Sequence, residues 1–78
     1  MDAEKLYAKI YKLPRETFEE YGIMVTFSEI YTAFNGKTEY TNNPNLLGSD
    51  LINLEKSFSD KIKLVMIDDR VEGVQFLN

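Results

Sequence analysis

The chain contains no cysteine, no histidine and no tryptophan, and has only two prolines and four glycines. Without cysteine there is no disulfide framework, thiol nucleophile or zinc ribbon, and the fold needs no oxidising compartment. Without histidine the usual general base and the commonest metal ligand are both missing. Serines 28, 49, 57 and 59 therefore have no imidazole to activate them, and no glycine-rich phosphate cradle accompanies them. Paired carboxylates alone could do acid–base work in a cleft, but 78 residues make a small core that rarely builds one. A non-enzymatic protein without cofactor or metal is expected. Long hydrophobic runs are missing too: Leu64 to Ile67 is among the longest, against the roughly 20 residues of a membrane span. The opening Met1-Asp2-Ala3-Glu4 lacks the basic-then-apolar pattern of a secretory signal. A soluble, cytoplasmic protein with no membrane contact is the expectation.

Positive charge is also scarce. Thirteen acids face nine bases, a formal net charge of −4, which favours solubility and opposes non-specific attraction to phosphate backbones. What the chain does have is core material. Hydrophobic residues make up 44%, with five tyrosines and five phenylalanines, enough for one globular domain spanning residues 1–78 and too little for two.

Hydrophobic periodicity divides the chain into short elements. Leu6, Ile10 and Leu13 recur at helical spacing across Glu4 to Lys12, with lysines at 5, 9 and 12 and a Tyr7–Tyr11 pair on the flank. Pro14 suits the first turn of a second helix, Arg15 to Tyr21, which Gly22 would end and whose dipole Glu16, Glu19 and Glu20 would favour. Ile23-Met24-Val25 reads as a brief extended segment. Thr26 followed by Glu29 is a capping box opening a helix with Phe27, Ile30, Tyr31 and Phe34 on one face, stopped by Asn35-Gly36. Gly36 to Asn45 is polar and turn-rich, although Asn43-Pro44 can start a helical turn. A further helix after Gly48 uses Leu51, Leu54 and Phe58, extended one turn by Leu47. Lys61 to Ile67 alternates as a strand, with Ile62, Leu64 and Met66 on one face. Asp68 to Gly73 supplies a turn, and Val74 and Phe76 alternate to the end.

The order predicts an α+β fold of the winged helix-turn-helix kind: a helical N-terminal region followed by a C-terminal β-hairpin. In this reading the hairpin covers the open side of three helices, and the strand near Met24 pairs with its edge.

Met24 through Leu77 resembles the LOTUS domain, also called OST-HTH. The similar features are Val25-Thr26-Phe27-Ser28-Glu29-Ile30, then Phe34-Asn35-Gly36, then Leu47-Gly48-Ser49-Asp50-Leu51. Leu54, Phe58, Ser59-Asp60-Lys61-Ile62 and a closing hairpin through Gly73, Val74 and Phe76 follow. The aromatic that often follows the family's Leu-Gly step is Ser49 in this chain. The resemblance implies a non-enzymatic module of RNA-regulatory assemblies; extended members bind a DEAD-box helicase of the Vasa type, and minimal members are linked to RNA, including G-rich structures.

A DNA-reading helix brings Arg, Lys, Asn or Gln to base edges, flanked by cations on phosphates. Here Ser49 to Phe58 carries Asp50, Glu55 and the single cation Lys56, and the hairpin turn carries Asp68, Asp69 and Glu72 against Arg70. Duplex DNA is disfavoured, and the asparagines at 42, 43, 45 and 53 are better read as turn and cap residues. A protein partner is expected first, contacted by Tyr31, Tyr40, Asp50, Glu55, Asp68 and Asp69, with Tyr31 equally suited to the core. RNA is the second candidate, through Lys5, Lys9, Lys12 and Arg15 interleaved with tyrosines, against the alternative of a solvated helix face. An exposed hairpin edge could join a second copy into a homodimer. Asp68, Asp69 and Glu72 fit no calcium loop and read as a solvated turn. The rival from another class is a small acidic phage-type inhibitor that blocks a nucleic-acid-binding protein by presenting carboxylates where phosphates would lie.

Overall fold

The computed structural model describes residues 1–34 and 38–77. It is an α+β domain of seven elements: α1 (Ala3–Tyr11), β1 (Glu16–Phe18), β2 (Gly22–Thr26), α2 (Phe27–Ala33), α3 (Pro44–Ser57), β3 (Ile62–Ile67) and β4 (Arg70–Phe76). The strands form one antiparallel sheet in the order β1-β2-β4-β3. All three helices contribute to one core. Leu6 and Ile10 of α1, Ile30 of α2 and Leu47, Leu51 and Leu54 of α3 meet Val25, Ile62, Leu64 and Val74 from one face of the sheet.

Each helix start has a local cause. Asp2 accepts from the Glu4 amide at 3.0 Å, and Thr26 Oγ1 accepts from the Glu29 amide at 3.1 Å, so one arm of the predicted capping box is formed. Pro44 occupies the first turn of α3, where its missing N–H leaves nothing unpaired. The apolar stripe then runs unbroken past Gly48, making one 14-residue helix rather than a turn followed by a shorter helix. The predicted stop at Asn35-Gly36 lies outside the described residues.

The second predicted helix is corrected. Arg15 to Tyr21 is not helical: Glu16–Phe18 pairs with Gly22–Met24 as a hairpin. Pro14 biases Leu13 toward extended backbone, and Thr17 and Phe18 are strand formers. Gly22 sits at φ 80° just after the three-residue connection, a conformation that glycine adopts without strain. Glu16, Glu19 and Glu20 therefore line a strand and its turn rather than a helix N-terminus.

The C-terminal hairpin forms as expected, with two refinements. Its turn is only Asp68 and Asp69, at φ 50° and 63°, the left-handed pair that a two-residue hairpin turn requires. A register shift leaves Glu72 unpaired, because Val65 faces Gly73 while Met66 faces Val71. Burial departs from the predicted alternation here: Val65 is buried and Met66 is 43% exposed.

Two glycines have opposite surroundings. A Cβ on Gly73 would lie 2.7 Å from both Met24 Sδ and the Val25 carbonyl oxygen, whereas a Cβ on Gly48 would meet nothing within 4 Å. Gly48→Ala is expected to raise stability by about 0.5–1 kcal/mol through helix propensity. Gly73→Ala is expected to lower it by about 1–3 kcal/mol, as overpacking does. Urea denaturation of the two variants checks both signs.

The free edge beside α3 belongs to β3, and its middle donor is occupied: Glu55 Oε2 accepts from the Leu64 amide at 2.8 Å. A second strand pairing there must displace this carboxylate. Glu55→Ala is expected to cost about 1–3 kcal/mol and to raise self-association in sedimentation velocity; an unchanged monomer would contradict the blocking role.

Candidate protein-contact cleft

The stripe Leu47, Leu51 and Leu54 turns one side of α3 inward, which leaves Asn45, Ser49, Ile52, Asn53 and Lys56 exposed. Ile52 is apolar yet 39% exposed. The β3–β4 turn stands beside this face, and between them runs a cleft of about 610 Å³. Phe27, Ile52 and Val71 supply its apolar surface; Asn45, Ser49, Asp69, Arg70 and Glu72 supply its polar rim. Among the described residues, Arg70 is its single cation, against two carboxylates. Aromatic and aliphatic surface with a few convergent polar groups is chemistry for holding another molecule's side chains. Gly48 also lines the cleft and keeps its wall low.

The structure divides the residues expected to make contacts. Asp69 reaches the cleft rim and Asp68 is exposed beside it. Tyr31 is half-buried against the core, stacked on Phe27 with ring centroids 6.3 Å apart. Tyr40 is corrected outright: it is fully buried, edge-on to Phe34 at 5.2 Å. Asp50 and Glu55 have structural partners. The Tyr40 hydroxyl donates to Asp50 Oδ2 at 2.6 Å, the Met1 ammonium lies 3.6 Å from the same oxygen and donates to Glu39 at 3.0 Å, and Glu55 holds the Leu64 amide. Both α3 carboxylates expected to contact a partner thus serve the fold, which leaves Lys56 as the exposed charge of the helix.

The basic residues are also sorted. At 100° per residue, Lys5, Lys9 and Lys12 fall on one flank of α1 and Tyr7 and Tyr11 on the other. Lys9 lies over the Phe34 ring at 5.5 Å, away from the tyrosines. The expected interleaving of those lysines with Tyr7 and Tyr11 is therefore not formed. Arg15 alone joins the rings: its guanidinium lies 4.7 Å from the Tyr11 centroid and 4.3 Å from that of Phe76, and its Nη2 donates to the Tyr11 carbonyl at 3.1 Å. Tyr7 stacks on Phe58 at 5.0 Å and meets Phe76 edge-on at 5.9 Å. These contacts fasten α1 to the ends of α3 and β4.

Residues that the sequence reading missed are Phe27 and Val71, taken for core and turn, and Ile52, Asn45 and Ser49. The available signal was Ile52, an aliphatic residue off the Leu47–Leu51–Leu54 stripe. Among the described residues, no group of three or more acids could hold a metal ion, and no helix is long and apolar enough to cross a membrane. Comparisons with protein-family models, curated proteins and solved structures found no match to this chain.

Burial, followed by the bond to Asp50, pushes the Tyr40 hydroxyl far above the ordinary tyrosine value. A group whose pKa is raised on folding contributes stability that is complete below its unfolded pKa, about 10 for tyrosine, and lost as pH rises toward the folded value. Stability is expected to fall from about pH 10 upward, and more steeply in the parent chain than in Tyr40→Phe. Denaturant titrations of both at a series of alkaline pH values check this; parallel pH profiles would contradict it.

Proposed function

We propose that this chain is a non-enzymatic, LOTUS-like winged-helix interaction module that works through protein contact at the cleft between α3 and the β3–β4 turn. The supporting order is helix, strand, helix, helix, hairpin, with β2 laid against β4 so that the last strand lies between the other two. The β1 hairpin is an addition at the edge. The resemblance set out above supplies the setting, an RNA-regulatory assembly, with RNA as the second contact.

The single observation that carries the choice of partner is the composition of the cleft. Where a DNA reader gathers several cations, this chain places exposed Ile52 with Phe27 and Val71, and the rim sets Asp69 and Glu72 against Arg70. Each carboxylate there repels phosphate instead of releasing a counterion. An apolar centre inside a polar rim is the anatomy of a protein contact.

The test uses the full chain with a photo-crosslinking amino acid at position 52, alongside fluorescence anisotropy on labelled duplex DNA and G-rich RNA. The expected results are a crosslinked protein, lost when Asp69→Lys is added, and duplex binding weaker than about 100 µM at physiological salt. Crosslinking mainly to nucleic acid, or tight duplex binding with a steep salt dependence, would overturn the reading.

A further inference from the structure

The helices cover one face of the sheet, and the opposite face carries its own recess. Strand alternation and register put Glu16 and Phe18 of β1 on that outer face with Met24 of β2 and Gly73 of β4. Met24 is only 3% exposed although it lies outside the helix-covered core cluster, since it folds over the bare backbone of Gly73. Around it lies a groove of about 620 Å³. Phe18, Met24 and Ile67 give it apolar walls, Glu16, Glu29 and Glu72 give it three carboxylates, and among the described residues no lysine or arginine lines it. The bulge in β4 leaves Glu72 out of strand pairing at this place.

Three features narrow what fits. Among the described residues, the ion pairs are those of the Met1 ammonium with Glu39 and Asp50, and none involves these three carboxylates. They are spread around the groove and do not form a group able to hold a metal ion. The Tyr21 hydroxyl, which also lines the groove, is raised above the ordinary tyrosine value by desolvation and then by Glu20 and Glu72, consistent with a negative local field. The matching ligand carries separated positive charges on apolar stems. Lysine and arginine have that form, with methylenes to lie on Phe18, Met24 and Ile67 and heads to reach the rim.

We propose that the outer-face groove binds a partner protein segment in which lysine or arginine side chains alternate with apolar ones. The groove meets the α3 cleft at Ser28 and Glu72, but the proposal stands on its own apolar walls and charge complementarity, whatever occupies the cleft.

The probe is a fluorescein-labelled peptide of alternating lysine and leucine, with lysine–serine and glutamate–leucine peptides as controls. It is titrated into the full chain at low and at moderate salt. The lysine–leucine peptide is expected to bind and to weaken with salt. Its affinity should fall about tenfold or more in Glu16→Gln/Glu72→Gln, two exposed positions whose replacement spares the core, with folding checked by circular dichroism. The lysine–serine peptide should bind less tightly and the glutamate–leucine peptide not at all. Ile52→Lys, in the cleft, should leave binding unchanged, so failure of the cleft reading leaves this result intact. No binding, or equal binding by the double variant, would overturn the proposal. Salt-sensitive self-association in sedimentation that the double variant abolishes would also overturn it, by making a second copy the occupant.

Discussion

The structure depends on a seam two residue pairs long, Val25 with Val74 and Thr26 with Gly73. It is where the N-terminal half of the sheet joins the C-terminal hairpin. Gly73 makes the close approach possible, because its missing side chain leaves room for the Val25 carbonyl and the Met24 thioether. Strand geometry reinforces the join. Leu64 gives its N–H outward to Glu55, so its pair with Val74 is a non-hydrogen-bonded one, and Val74 turns its own backbone groups toward Val25. Thr26 then has two duties, ending β2 in the seam and capping α2 with its hydroxyl. The core on one side and Met24 on the other are both fixed by this short contact.

Both recesses follow from the same geometry. The seam delivers α2 beside the β3–β4 turn, and the cleft opens between that turn and α3, while the outer groove opens behind it. Ser28 and Glu72 stand between the two. The lysines of α1 line neither recess, whereas Glu16, Glu29 and Glu72 line the outer groove and Asp68 and Asp69 form the hairpin turn. The net charge of −4 is thus unevenly used: Asp50 and Glu55 support the fold, while Glu16, Glu29, Glu72 and Asp69 face recesses. Both recesses are apolar surface edged by carboxylates.

Much of the fold was legible because it is local. The Thr26 cap, Pro44 at a helix start, the alternation from Ile62 and the extended stretch near Met24 each carry their signal within a few residues. Arg15 to Tyr21 was not legible. Its strand buries no residue fully, so it shows no alternation, and the spacing of Glu16, Glu19 and Glu20 imitates a solvated helix face. The candidate site was less readable than the fold for a similar reason. Whether an acid on α3 faces water or the interior depends on Tyr40 ten residues before Asp50 and Leu64 nine after Glu55, contacts that no helical period reports. Tyr40 sits in a stretch of Thr and Asn, and its burial comes from packing against Phe34.

The β2–β4 seam is expected to hold the two halves together as one cooperative unit. Native-state amide hydrogen exchange measures this directly. The Val25 and Val74 amides should exchange only through global unfolding, with the same free energy and denaturant dependence as the Leu51 amide in the core of α3. Exchange of Val25 and Val74 by local opening, at a free energy well below that of Leu51, would contradict it.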